Sequence, residues 1–200
     1  MRASAVGGAM APGRAGAHDP AMTRAVRQFA RVSEEQFLSL PESHDHVELV
    51  DGEVMLAPAP LPLHQLVVGN LFVVFREWAR AHPPAFAGLS SLDVRLAAGR
   101  IVQPDLLLVL RGLPTVSRPV GRVPDLVVEV LSANRTYDRV TKRVLYAEAG
   151  VREYWIVDPD EATVEIIAGM ASLETSGACV ESRIAPGLRV DVASLFETPA

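Results

Sequence analysis

The pattern of apolar and polar positions divides the chain into short strand-like and helix-like segments. Two apolar runs flank Asp51-Gly52 within residues 47–56, and Asp-Gly is a strong signal for a two-residue hairpin turn. Apolar residues recur at roughly helical spacing across residues 63–82, which predicts the main helix of the first half. A shorter helix, begun by a serine that can cap it, is predicted within residues 33–40.

The second half of the chain alternates apolar strands with one helix. The predicted strands cover residues 91–97, 101–110, 124–131, 153–157, 162–167 and, at an edge, 178–190. The second of these is apolar on both faces, as is typical of a central strand. Residues 111–122 lack periodicity and predict a loop, and residues 136–149 predict a helix that ends at Gly150. This order predicts an α/β fold with a central mixed β-sheet flanked by helices.

Chain length and local composition predict a single folded unit behind a flexible tail. A chain of 200 residues suits one hydrophobic core, so we expect one domain over residues 23–200. Residues 1–22 mix glycine, alanine and proline with charged residues, which predicts a disordered tail rather than a signal peptide. The longest apolar run, residues 66–75, is roughly half the length needed to span a bilayer, so no membrane anchor is expected.

The overall charge limits the kinds of partner that the protein can bind. The formal net charge is −5, so no general attraction to nucleic acid is expected and any DNA contact must be local. The only cysteine, Cys179, has no partner for an internal disulfide, which fits a reducing cytoplasm.

Two acidic residues interrupt apolar strands and are the strongest chemical signal in the chain. Asp105 follows Pro104 inside one apolar run, and Glu129 lies inside another. An unpaired buried carboxylate costs several kcal/mol, so each must be exposed at a strand end, hydrogen-bonded or bound to a cation. On neighbouring strands the two carboxylates could bind Mg²⁺, which takes one or two protein carboxylates and keeps water and substrate phosphate as its other ligands. We therefore expect Asp105 and Glu129 to be metal ligands.

A lysine on the next predicted helix allows two interpretations. Lys142 could place an ammonium beside the metal, where it would orient water and offset charge on a phosphate. It also follows Asp138 by four residues, which is the favoured spacing for a surface ion pair. Without further context the surface ion pair is the simpler interpretation of the two.

Other residues are weaker candidates for the same site. Glu48 lies on the first predicted hairpin and could be a third acid, although a solvated strand residue would fit the same pattern. His64, at the start of the long helix, could contact phosphate or water. Arg139 belongs to a basic cluster on the helix of Lys142 and could bind phosphate, although such charges usually face water. Tyr146, one turn beyond Lys142, is more simply explained by packing.

Six segments together resemble, in order and spacing, the Uma-two family of restriction endonucleases within the PD-(D/E)XK nuclease superfamily. The segments are 48–53, His64-Gln65, 102–106, 124–132, Tyr137-Asp138 with Lys142 and Tyr146, and 149–158, and the resemblance covers roughly residues 29 to 197. It implies a restriction-endonuclease-like fold, with Mg²⁺ as the usual cofactor and Mn²⁺ as an alternative. It also implies a DNA substrate and a homodimer.

The resemblance assigns roles to particular residues and shows one departure. Asp105 matches the acid of the Pro-Asp element, Glu129 the acid of the second element and Glu48 an early acid. Where the superfamily signature has a lysine two residues after the second acid, this chain has Leu131, and the resemblance suggests that Lys142 takes its place. The sequence thus predicts a cytoplasmic Mg²⁺-dependent DNA endonuclease, with a nuclease-fold protein that only binds as the alternative.

Overall fold

The computed structural model describes residues 31–41, 46–113, 118–132 and 135–197. The predicted tail, residues 1–22, lies outside the described residues. In chain order the elements are α1 (Glu34–Leu38), β1 (His46–Val50), β2 (Glu53–Ala57), α2 (Pro62–Ala81), β3 (Phe86–Leu89), β4 (Val94–Ala97), β5 (Arg100–Val102), β6 (Leu106–Val109), β7 (Leu126–Val130), a π-helical segment (Tyr137–Lys142), α3 (Arg143–Ala149), β8 (Glu153–Asp158), β9 (Thr163–Ala168), β10 (Ala171–Ser176), β11 (Cys179–Glu181), β12 (Arg189–Asp191) and a 3₁₀ helix (Ala193–Phe196).

A six-stranded sheet forms the centre of the fold. Its strand order is β10-β9-β8-β7-β6-β3, in which β7 and β8 run parallel and the other neighbours run antiparallel. The central strands β6, β7 and β8 are buried along their whole length, and they are apolar apart from Glu129 in β7 and Glu153 and Asp158 at the ends of β8. The sequence-based expectation of an α/β fold with a central mixed sheet is confirmed.

Each face of this sheet is covered by a helix. On one face, α2 packs its buried residues, among them Val67, Leu71 and Phe75, against alternate residues of β6 and β7. On the other face, Leu145 and Tyr146 of α3 pack against the remaining residues of those strands. Among the described helices, none is long and apolar enough to cross a membrane.

A second, four-stranded sheet has the order β2-β1-β5-β4. The predicted Asp-Gly hairpin is present, and positive φ angles of 51° at Asp51 and 87° at Gly52 give it the tight turn. The short helix predicted after residue 33 is also present, and Ser33 and Gln36 form a reciprocal capping box at its start.

The prediction of one strand over residues 101–110 is wrong in one respect. The segment forms two strands, β5 and β6, each of which has a neighbour on both sides but which belong to different sheets. The chain leaves the first sheet at Gln103-Pro104 because proline has no N–H to donate to a sheet ladder. This crossover places Asp105 immediately before β6, where the two sheets meet.

Two strands, the π-helical segment and the 3₁₀ helix were not predicted. The strand β3 was missed because its four residues, which include a glycine, are too short to show alternation. The strand β10 was missed because it is a largely exposed edge strand without an apolar face. The helix predicted over residues 136–149 is present, but its first part is the π-helical segment, a form frequent at functional sites.

Candidate active site

The strands β6 and β7 bring Asp105 and Glu129 together. Their antiparallel register pairs Leu106 with Val128, so one step further along the ladder Asp105 stands opposite Glu129. Opposed residues of an antiparallel pair project to the same face of a sheet. The backbone N–H of Val130 also donates a hydrogen bond of 2.8 Å to Oδ2 of Asp105. The two acids therefore meet at one point, as the sequence analysis required.

Glu129 is buried and accepts two hydrogen bonds through one oxygen. Its Oε1 lies 2.9 Å from Nζ of Lys142 and 2.6 Å from the hydroxyl of Tyr146. Burial raises the pKa of Glu129 well above its usual value; the nearby ammonium of Lys142 opposes that rise, while the charge of Asp105 adds to it. Tyr146, which the sequence left as a packing residue, therefore holds this carboxylate in place.

Lys142 is buried, with 3% of its surface exposed, so the surface ion pair is the wrong interpretation. Its Nζ lies 2.9 Å from Oε1 of Glu129 and 3.2 Å from Oε1 of Glu48, but 3.8 Å from Oδ1 of Asp138. Burial by itself lowers the pKa of Lys142, but the surrounding carboxylates outweigh burial and raise it well above its usual value. The amine is therefore a fixed positive charge.

Glu48 is buried on β1 and is bound on every side. Its Oε1 accepts the backbone N–H of Gln103 at 2.9 Å and lies near Lys142 and His46, and its Oε2 accepts the hydroxyl of Tyr137 at 3.1 Å. Burial raises the pKa of Glu48, but Lys142, His46 and the Gln103 N–H together outweigh burial and lower it to about 2. The carboxylate is thus ionised and its orientation is fixed.

His64, in the first turn of α2, also reaches the site. Its Nε2 lies 3.1 Å from Oδ2 of Asp105, whereas its Nδ1 is buried without a hydrogen-bond partner among the described residues. Burial lowers the pKa of His64, but the hydrogen bond and charge of Asp105 outweigh burial and raise it. In this arrangement the imidazole orients the carboxylate of Asp105.

Arg139, predicted to bind substrate, is not brought to the site. Its guanidinium lies 2.8 Å from Asp158 and 3.2 Å from Glu165, which belong to β8 and β9. Its neighbour Arg135 pairs with Asp158 and Asp160 in the same cluster. Arg135 and Arg139 therefore pair with acids of β8, β9 and the turn between them, whereas Lys142 lines the cavity.

The acids and Lys142 line one cavity of about 430 Å³. Its basic or imidazole groups are Lys142, His46 and His64, and one of its walls is apolar: Met55, Leu56, Ala57, Pro58, Ala59 and Pro60. All the hydrogen bonds to Asp105 go to Oδ2 and all those to Glu129 go to Oε1. Among the described residues, Oδ1 of Asp105 and Oε2 of Glu129 accept no hydrogen bond, and both side chains line the cavity, so these two atoms are called the open oxygens of the site.

Three contacts of the site were missed from the sequence. Asp138 lines the cavity, Tyr137 bonds Glu48, and the Gln103 backbone bonds Glu48 as well. The position of Asp138 in the cavity could have been predicted from its spacing: Asp138, Lys142 and Tyr146 are four residues apart and so share a helix face. The backbone contact of Gln103 has no signal in the sequence.

The residues present fit a hard divalent cation. Four buried carboxylates and Lys142 line the cavity; burial raises the pKa of Glu129 and Asp138, Lys142 opposes that rise, and the neighbouring carboxylates add to it. A cation beside the open oxygens of Asp105 and Glu129 would relieve this excess of negative charge. Within the described residues no group of three or more His, Cys, Asp or Glu side chains is arranged to hold a metal. Mg²⁺ needs only one or two protein carboxylates, so the pair is sufficient.

Comparison with known proteins identifies the family. The family model described as "Uma2: Putative restriction endonuclease" matches residues 34–192. The chain belongs to the Uma2 family. The match spans every element from α1 to β12, so it includes every sheet of the described structure and all the residues of the cavity. The resemblance stated from sequence motifs is thereby confirmed, and membership of Uma2 supports a nuclease function.

A solved structure shares the fold of this Uma2 chain. It is the crystal structure of "a putative nuclease belonging to DUF820 from Anabaena variabilis ATCC 29413", with a TM-score of 0.72 and 24% sequence identity. The alignment covers 82% of this chain and 97% of the other. At that identity the likeness establishes the fold. No curated protein matches the chain.

Proposed function

We propose that this protein is a Mg²⁺-dependent endonuclease that hydrolyses phosphodiester bonds of DNA. The observation that carries the proposal is the pairing, in one cavity, of two open carboxylate oxygens with a buried lysine. The open oxygens belong to Asp105 and Glu129, and Nζ of Lys142 lies 2.9 Å from the bonded oxygen of Glu129. Together these groups can bind a divalent ion and a phosphate at the same time.

Each residue has a separate task in this proposal. Asp105 and Glu129 would hold Mg²⁺, with Mn²⁺ as an alternative, and the bound ion supplies Lewis-acid stabilisation of the charge that develops on the phosphate. Lys142 stays protonated, so it donates hydrogen bonds to a phosphate oxygen or to water. Glu48 pairs with Lys142 in addition to Glu129 and so helps to hold it, and His64 orients Asp105.

The alternative is a nuclease fold that binds without cutting. Leu131 stands where the superfamily signature has lysine, and this departure favours the alternative. Against it, the ammonium of Lys142 lies within hydrogen-bonding distance of Glu129 and so supplies the missing charge. The alternative predicts that Mg²⁺ stabilises the protein without any cleavage of DNA.

A homodimer located in the cytoplasm completes the proposal. Exposed apolar side chains, including Val140, Val144, Met170 and Leu173, offer surface that a second copy could cover. The single cysteine, Cys179, fits a reducing compartment.

The test compares two Pro-Asp pairs of the same chain. Asp105→Asn removes a proposed metal ligand, and we expect nicking of supercoiled plasmid in Mg²⁺ to fall by at least about 100-fold. Asp125→Asn is the matched control, because Asp125 also follows a proline but accepts the N–H of Leu110 and pairs with Arg152 outside the cavity. Thermal melting with and without Mg²⁺ measures binding in parallel.

Three outcomes decide between the alternatives. Plasmid nicking by the wild-type protein and the control, but not by Asp105→Asn, supports the endonuclease. Wild-type stabilisation by Mg²⁺ without nicking of any DNA would assign the protein to the binding alternative. Equal nicking by all three proteins would show that Asp105 is not a ligand and would overturn the proposed site.

A further inference from the structure

One carboxylate of the cavity has no task in the proposed function. Glu48, Asp105 and Glu129 each accept at least two hydrogen bonds. Among the described residues, the side chain of Asp138 accepts none, and its nearest cationic partner is Nζ of Lys142 at 3.8 Å. Asp138 is nevertheless 8% exposed, so it is a buried charged group with unused acceptor capacity.

The fold holds Asp138 in this position by its backbone. Its carbonyl oxygen accepts the buried hydroxyl of Tyr154 at 3.0 Å, and it lies in the π-helical segment that also carries Lys142. Its oxygens are not among the buried atoms that lack a partner, so they open toward the cavity. The carboxylate is therefore fixed but free to bind something inside the cavity.

The other groups of the cavity are poorly suited to accept a proton. Lys142 is protonated and can only donate hydrogen bonds. Glu48 has its pKa lowered to about 2 and its oxygens occupied. His64 uses Nε2 to bind Asp105, and its Nδ1 is buried. The bonded oxygens of Asp105 and Glu129 are occupied, and their open oxygens are those proposed to face Mg²⁺.

We propose that Asp138 is a catalytic residue that binds the attacking water and accepts its proton. This inference rests on the proposed function and deepens it. The water oxygen forms a bond to phosphorus while the bond from phosphorus to the leaving oxygen breaks. One proton of the water passes to the Asp138 carboxylate, the leaving oxygen takes a proton from solvent, and Asp138 later releases its proton to solvent.

The electrostatic surroundings of Asp138 support this role. Burial raises its pKa, Lys142 opposes that rise, Asp105 and Glu48 add to it, and His46 lowers it slightly, with a result of about 6. Glu129 and His64 also face the cavity, one as a further negative group and the other as a group that Asp138 itself helps to protonate. A base with this pKa is ionised at neutral pH and still has useful affinity for a proton.

The experiment uses the full-length protein with DNA and Mg²⁺. Asp138→Asn keeps the shape of the side chain but cannot take the proton, so we expect the cleavage rate to fall about 100-fold or more. Asp138→Glu restores a carboxylate and should recover part of the rate. The wild-type rate should decrease toward acidic pH as Asp138 becomes protonated, and this acidic limb should be absent from the residual rate of Asp138→Asn. The control is again Asp125→Asn.

A Mg²⁺ titration separates a base from a metal ligand. If Asp138 is the base, the Mg²⁺ concentration that half-stabilises Asp138→Asn against heat equals that of the wild type. A strongly raised Mg²⁺ requirement would make it a ligand and overturn the inference. If the wild type cleaves DNA and Asp138→Asn cleaves it equally fast, the inference is overturned but the proposed function stands. The same holds if the variant keeps the acidic limb of the wild type. An inactive wild type would overturn the proposed function itself and the inference with it.

Discussion

At the scale of single residues, the cavity has too much negative charge for its own stability. Four carboxylates, those of Glu48, Asp105, Glu129 and Asp138, line one cavity with the buried ammonium of Lys142, which pairs with Glu48, Glu129 and Asp138. Burying a charge costs several kcal/mol unless a partner compensates for it. Such a cost is typical of functional sites, where ionisable groups are held for their reactivity rather than for stability.

The cost of Asp138 can be measured in the metal-free protein. Its pKa is about 6 in the folded state against 3.8 as its ordinary value, so between those pH values the unfolded state loses the proton first. Stability therefore falls as the pH rises from about 4 to about 6 and stays reduced above that. We expect Asp138→Asn to be more stable than the wild type at pH 7, by up to about 3 kcal/mol.

The measurement is thermal or urea unfolding in the presence of a chelator at several pH values. The advantage of Asp138→Asn should disappear near pH 4, where the carboxyl group is protonated in both states. A variant that loses the same stability at pH 4 and at pH 7 would contradict the prediction, because the loss would then come from packing and not from charge.

The chemistry of the acids in the strands was visible in the sequence because a charge inside an apolar strand needs an explanation. Asp105 and Glu129 were found in this way, and the structure brings them together. Lys142 was ambiguous, because its spacing from Asp138 also fits an exposed ion pair. Only tertiary packing shows that this helix face is buried, so the environment of Asp138 could not be read from the sequence.

At the scale of elements, the π-helical segment carries some charged side chains that face the cavity and one that faces away from it. Lys142 and Asp138 point into the cavity, whereas Arg139 points outward to Asp158 and Glu165. The outer pairs connect the segment to β8 and β9, so they support the helix that carries the lysine. We therefore expect Arg139 to act as a structural residue.

Arg139→Gln tests that assignment. The side chain of Arg139 is 40% exposed, and exposed ion pairs contribute at most about 1 kcal/mol, so we expect a loss of stability within that range. The KM for DNA should stay unchanged, because the guanidinium does not line the cavity. Unfolding in urea and steady-state cleavage measure the two quantities. A large rise in KM with unchanged stability would restore the original prediction that Arg139 binds substrate.

The division of residues 101–110 between two sheets shows what periodicity can and cannot predict. Continuous apolar sequence correctly indicated buried, central strands. It could not show that the strand is interrupted, because a residue buried between two sheets is as apolar as one buried within a single sheet. Pro104 was the available signal, since a proline cannot donate to a ladder, and Asp105 is exactly one residue beyond it.

At the scale of the whole molecule, much of the positive charge of the described residues is paired with acids of the same chain. The net charge is −5, and many arginines are paired with acids: Arg95 with Glu34, Arg100 with Asp51, Arg118 with Asp93, Arg135 with Asp158, Arg152 with Asp125 and Arg183 with Glu174. Within the part of the chain that the structure describes, the residues lining the cavity include no arginine. The surface near the described site therefore offers few charges to neutralise DNA phosphates.

This distribution predicts a weak dependence of DNA cleavage on salt. Each phosphate that a protein neutralises contributes about −0.9 to the slope of log affinity against log salt concentration, and avid binders contact roughly 6–10 phosphates. Because Lys142 and two histidines are the basic or imidazole groups of the cavity, we expect a slope no steeper than about −3. The slope is measured from cleavage rates at DNA concentrations below KM, at constant Mg²⁺ and increasing KCl.

A slope near −6 or steeper would show that the protein engages DNA through a basic surface outside the cavity. The recognition of substrate would then depend on long-range phosphate contacts, and not on the ion, the lysine and the apolar wall beside them.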